Sequence, residues 1–387
     1  MARLAAFPRP LPAVPGPIED VHKLRYIDVA RGVAIILVVF DHTSQHLSGL
    51  NSWLEDAARM GQMGVQLFFV ASALTLCLSA AERGLATKAQ VRNFYIRRFF
   101  RIAPLYYMGI AFYNARGFGH LPATTPGGDP GLHGRLLASV LFVHNLIPSA
   151  TERVMPGGWS ISAEMLFYVA FPLLFRVVTG QRRAAVFFAL SLGFALAFQS
   201  VMCILAGQPI FVPNASFAYF LVINHLPVFA CGFLLAYTSA SRKPGLDFVT
   251  AFALLLTMAW FFCHSKFGLA FVLVPALAGL GFLFFVRVLA TLRLNSIWAK
   301  AAAELGKKSF SIYVIHFFFA WECSHVWAQY LARHQVGPNR QLGLLFVASL
   351  LASYAAACVL EPLVEVRGVR LGKMLIARLS RVAAPGA

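Results

Sequence analysis

Apolar runs of about 20 residues recur along almost the whole chain, separated by short stretches that hold most of its charge. As a helix, each run is long enough to cross a hydrocarbon core about 30 Å thick. No water is available inside a bilayer, so the backbone must satisfy its own N–H and C=O groups as a helix or a closed barrel. A barrel would show ~10-residue segments of alternating polarity, and that pattern is missing. Only 12% of the 387 residues are charged, about half the share in a soluble domain. A water-facing globular enzyme is therefore excluded. The chain is predicted to be all-α and polytopic, with ten spans near 30–48, 62–80, 102–115, 160–176, 184–206, 216–238, 247–264, 268–288, 309–332 and 342–362.

The net charge of +18 would suggest a nucleic-acid partner in a soluble protein. Ten spans give it another origin. With a cytoplasmic N-terminus, 26 of the 33 Lys and Arg residues fall on the cytoplasmic side and 7 on the other, as the positive-inside rule requires. Both termini are thus expected in the cytoplasm. Residues 1–24 form a Pro- and Ala-rich tail without the apolar stretch of a cleaved leader. Residues 25–365 form the membrane domain and 366–387 a basic tail. The six cysteines are scattered, with no CxxC pair, so neither a disulfide framework nor a metal site is predicted. The long Gly-, Pro- and His-rich loop at 116–158, on the outer side, is a candidate functional loop.

Three clusters can carry chemistry. In the first span Arg31 and His42 are eleven residues apart, about 20° apart around a helix and about 16 Å along it. Arg31 sits near the cytoplasmic edge and His42 about half a bilayer deeper, where an ionisable group is costly and tends to be functional. The second cluster, Arg97, Arg98 and Arg101 before Pro104, enters the third span. Arg98 and Arg101 at i, i+3 project side by side, and arginine forks bind phosphate bidentately; lipid headgroups are the competing partner. The third runs from Pro156 through Trp159 and Ser160 to Glu164. Ser160 is placed to cap a helix, Trp159 suits an interface, and Glu164 lies at about the depth of His42, where it could orient the imidazole or bind an acceptor hydroxyl. Gln66, Ser72, His316 and Glu361 are weaker signals with a structural reading ahead of a catalytic one.

With these residues laid out, the chain resembles the acyltransferase-3 family of bacterial membrane O-acyltransferases from Leu24 to Glu361. Its Arg-x10-His element matches Arg31 and His42, its Arg-x-x-Arg element Arg98 and Arg101, and its Trp-Ser-x-x-x-Glu-x-x-Phe-Tyr element Trp159, Ser160, Glu164, Phe167 and Tyr168. The late Ser-x-Tyr-x-x-His pattern matches Ser311, Tyr313 and His316. Two positions depart from the pattern, at Ser72-Ala73 and Glu164-Met165, and both bear on packing or acceptor choice. A hydrolase-like domain that some members carry is expected to be absent, since about 25 residues follow the last predicted span.

The resemblance implies an enzyme of the bacterial inner membrane that transfers an acyl group, with acetyl the commonest, from acetyl-CoA or another acyl-CoA to a carbohydrate or glycoconjugate hydroxyl. Arg98 and Arg101, with Arg97, would hold the donor's phosphates, and Trp159 and Ser160 would meet the acceptor. His42 would act as general base or transient acyl carrier, flanked by Arg31 and Glu164. The lipid bilayer is the remaining partner, and neither nucleic acid, metal nor redox cofactor is implied. Two rivals stand: a transporter or flippase of an envelope precursor, which paired broken helices would support, and a non-catalytic membrane partner, which would tolerate loss of His42.

Overall fold

A computed structural model describes residues 25–118, 131–151, 153–205, 219–238, 241, 243–264 and 270–382. The predicted N-terminal tail, residues 1–24, lies outside them. The described residues form helices and connecting turns, without strands. In order they are α1 Arg25–Ser44, α2 Ser52–Arg59, α3 Gly64–Arg83, α4 Lys88–Ala115, α5 Leu132–Val140, α6 Gly158–Val177, α7 Gln181–Leu205, α8 Val222–Tyr237, α9 Pro244–His264 and α10 Ala270–Leu289. After α11 Ile297–Lys307, two long rods each carry a π turn. The first is α12 Ser309–Phe317 and α13 Ser324–Arg333, joined by Phe318–Cys323. The second is α14 Pro338–Leu360 and α15 Val366–Val382, joined by Glu361–Glu365.

Each predicted span overlaps a helix in its described residues, but among those residues six helical stretches are both long and apolar enough to cross a membrane. The expected count of ten is not reached on that criterion, for visible reasons. Helix α1 carries Arg25, Asp28, Arg31 and Asp41 within 20 residues. Helix α4 begins with a strongly basic half, and α8 is only 16 residues long. The chain is nonetheless polytopic. On α7 and α9 the residues Leu190, Phe194, Val201, Phe252, Leu256 and Trp260 are exposed, a surface that suits lipid and not water.

Of the predicted basic tail at 366–387, residues 366–382 form a helix and 383–387 lie outside the described residues. Pro104 of α4 lacks an N–H and so frees the Phe100 carbonyl. Gly368 of α15 packs against that carbonyl so closely that a Cβ would lie 2.5 Å from it. The described parts of the 116–158 loop are also ordered against the bundle. Asn145 donates to the carbonyls of Trp159 and Phe220 and accepts from Val222 N, tying the loop to α6 and α8.

The core lies between α1, α3, α4, α6 and α8 and includes Ile35, Leu67, Leu105, Phe171 and Phe233. Phe167 and Phe229 stack there with centroids 4.0 Å apart. Helix α1 is held on its other flank by α11 at backbone distance: a Cβ on Gly32 would fall 1.8 Å from Ala302 O, and one on Gly306 1.8 Å from Asp28 O. Small residues at such crossings are how membrane helices gain packing contacts without help from water. The central position of α1 fixes where Arg31 and His42 stand.

Candidate active site

Helix α4 starts on a capping box. Gln90 N donates to Thr87 Oγ1 at 3.2 Å while Thr87 N donates to Gln90 Oε1 at 2.9 Å. Two to three turns later Arg98, Arg101 and Ile102 face a cavity of about 80 Å³, which α1, α3, α6 and α12 also line. Arg31 enters from α1 and donates to Thr75 Oγ1 of α3 at 3.1 Å. Arg98 lies over the rings of Phe94 and Tyr168, 5.7 and 5.8 Å from their centroids. Its Nε is buried with no hydrogen-bond partner among the described residues. Three guanidinium groups from two helices therefore converge on one space. Glu365, at the end of the second π turn, accepts from Ser311 Oγ at 3.2 Å and interacts electrostatically with Arg101.

Among the described residues Glu164 is the one carboxylate lining the cavity. Its Oε1 accepts from both Ser72 Oγ and Tyr168 Oη, and these two hydroxyls lie 3.2 Å apart. Of the two expected roles, orienting His42 or binding an acceptor hydroxyl, the first finds no contact here: Glu164 Oε1 bonds to Ser72 of α3 and to Tyr168 one turn along its own helix. Ser72 was a weak signal in the sequence, and Tyr168 entered only through the family pattern.

Two more expected site residues stand apart from the cavity. Ser160, Ile161, Glu164 and Tyr168 share one face of α6. Trp159 is about 100° from Ser160 on the far side of that face, buried among Phe69, Phe220 and His225 and not at an interface. Arg97 is likewise about 100° from Arg98, away from Ile102, and does not line the cavity. Ser160 lines it but is not the helix cap. That position belongs to Gly157, in the left-handed region at φ 67°. Ser160 Oγ donates to Gly157 O at 3.0 Å and lies 2.7 Å from Tyr313 Oη, which also donates to Gly157 O at 3.1 Å.

These two hydroxyls line the cavity on the side from which Tyr313 meets the His316 ring, 5.5 Å between centroids. His42 is not a lining residue. Its imidazole is 15% exposed, with Nδ1 2.8 Å from Val38 O and Nε2 3.9 Å from Asp41 Oδ2. Around it stand Phe317, His316 and Trp321, with centroids 4.3, 5.1 and 5.9 Å away. His316 Nε2 is 3.3 Å from His42 Nδ1, so the ring partner that Glu164 was expected to provide is a second histidine. Further out, the His46 ring stands 5.8 Å from both Trp321 and His325.

The first π turn is what presents His316 and its neighbours. Tyr113 Oη of α4 donates to Val314 O at 2.9 Å and accepts from Phe318 N at 3.2 Å. It thus inserts into the i, i+4 bond that would join those two groups, and a wedge of this kind widens a helix. Such π turns concentrate at functional sites.

Comparison with known proteins identifies the family. The profile of the family described as Acyltransferase domain matches residues 24–358. Acyltransferase MdmB of Streptomyces mycarofaciens is 27% identical over 340 residues, 81% of this chain and 82% of that protein. No solved structure matches. A transferase is thereby favoured over a transporter or a non-catalytic partner. The chain belongs to the acyltransferase-3 family, and is an acyltransferase built on a polytopic helical bundle.

Proposed function

We propose that this protein is an inner-membrane O-acyltransferase of a bacterium. It moves an acyl group, acetyl first among the candidates, from cytoplasmic acyl-CoA to a hydroxyl of a sugar or cell-envelope glycan. The observation that carries this reading is the convergence of Arg31, Arg98 and Arg101 on a cavity with a single lining carboxylate. Three guanidinium groups outnumber the one carboxylate that lines the cavity among the described residues, and Arg98 Nε is short of an acceptor. The pyrophosphate and 3′-phosphate of CoA supply both, in the bidentate geometry guanidinium favours. The basic end of the bundle faces the cytoplasm by the positive-inside rule, where CoA is available.

The pantetheine arm is about as long as the 16 Å rise from Arg31 to His42. It passes the Ser160–Tyr313 layer when Tyr313 turns aside, bringing the thioester to the imidazole without moving the nucleotide. His42 then takes the proton of the acceptor hydroxyl. The acceptor oxygen bonds to the acyl carbon, the carbon–sulfur bond breaks, and the CoA thiolate recovers the proton from His42.

The test uses full-length protein in nanodiscs with acetyl-CoA radiolabelled in the acetyl group. CoA release is expected from wild type and lost in both His42→Ala and Arg101→Ala. Undiminished release from His42→Ala at equal protein would end this reading.

A further inference from the structure

Hydrogen bonding to the backbone settles which atom of His42 is free to act. Its Nδ1 lies 2.8 Å from Val38 O, and His316 Nδ1 lies 2.7 Å from Tyr313 O. A carbonyl oxygen only accepts, so in the neutral rings both Nδ1 atoms carry the hydrogen. His316 Nε2 is then a lone pair, 3.3 Å from His42 Nδ1. The His42 Nδ1–H is thus shared between two acceptors, the Val38 carbonyl and the His316 nitrogen. His42 Nε2 is left with its lone pair.

We propose that His316 is a positioning residue for His42. Together with Val38 O it locks the Nδ1–H tautomer and ring orientation, so that Nε2 receives the acceptor's proton. When Nε2 is protonated, the positive charge shared over the ring is met at Nδ1–H by the two acceptors already in place. This is the service an orienting carboxylate gives a catalytic imidazole in hydrolase triads, rendered here by a neutral ring. Neutrality suits the location. His316 is fully buried, with Phe317 and Tyr313 centroids 4.1 and 5.5 Å away, and an unpaired carboxylate would be costly there. His316 itself gains and loses no proton over the reaction. The Phe317 ring, 4.3 Å from His42 and 4.1 Å from His316, holds the two imidazoles in register.

The inference rests on the acyltransfer reading above, and the experiment separates the two. Wild type, His316→Phe and His316→Gln are compared in nanodiscs for kcat, for KM towards acetyl-CoA, and for melting temperature. Phenylalanine keeps the ring volume but offers no acceptor. Glutamine can place its Oε1 near the lost Nε2. His316→Phe is expected to lose roughly 100-fold or more in kcat with KM within about threefold of wild type, the range of a disabled acid–base group. His316→Gln is expected to regain at least about tenfold of that loss. Should His316→Phe fail to fold, the glutamine variant decides alone: kcat within about tenfold of wild type supports the role. A folded glutamine variant as slow as the phenylalanine one, or a phenylalanine variant with wild-type kcat, overturns it. A wild-type protein that turns over no acyl-CoA defeats the acyltransfer reading instead, and the positioning role falls with it.

Discussion

The arginine cavity and the imidazole pair lie at opposite ends of the same few helices and are held by different forces. In the cavity, side chains satisfy side chains: Glu164 takes Ser72 and Tyr168, Arg31 takes Thr75, and Arg98 is left short of an acceptor. At the imidazoles, backbone carbonyls of α1 and α12 set the geometry and apolar rings enclose it. A polar site with an unmet donor is suited to receive a charged ligand. One whose hydrogens are already assigned is suited to move a proton in a fixed direction. Helix α12 joins them, giving Ser309, Phe310 and Tyr313 to the cavity and His316 and Phe317 to the pair. Binding and chemistry are thus separable, which makes the contrast testable.

The largest effect is expected at His42. His42→Ala should lower turnover by about 1,000-fold or more while leaving acetyl-CoA affinity within about threefold; a matching loss of affinity would merge the two regions into one site. Next is the doubly substituted Arg98→Ala/Arg101→Ala protein. Losing two charge-assisted contacts of about 1.5–3 kcal/mol each should weaken acyl-CoA binding by two orders of magnitude or more. Dephospho-CoA and CoA thioesters titrated by calorimetry would show which phosphate each arginine meets.

Gly157→Ala probes the layer between the regions. A Cβ there would lie 2.6 Å from the Phe317 ring and 2.9 Å from Tyr313 Oη, on a backbone at φ 67°. A cost of about 1–3 kcal/mol is expected, read as a lower melting temperature. Tyr113→Phe removes the hydroxyl wedged at the π turn and should cost about 1 kcal/mol, with kcat more sensitive than KM because the turn presents the imidazole end. Arg97→Ala is the smallest. It leaves the cavity lining intact, so acyl-CoA KM should stay within about twofold of wild type, the exposed-charge range; a tenfold rise would extend the phosphate site beyond the cavity.

Much of this was legible in the linear order of residues. Apolar run length dictated helices, because a bilayer offers the backbone no other partner, and each of the ten predicted runs overlaps a helix in its described residues. Helical periodicity placed Arg98 beside Arg101 and Arg31 below His42, since these are relations within one element. Relations between elements were not legible. The rotation of α6 puts Glu164 against Ser72 and buries Trp159, and the packing of α12 on α1 brings His316 to His42. Residues 366–382 became a docked helix because Gly368 fits the carbonyl that Pro104 frees in α4. Local geometry follows from the chain's own hydrogen bonds and spacing. Which side chains meet across helices depends on how ridges and small residues interlock in three dimensions, and no single stretch of sequence encodes that fit.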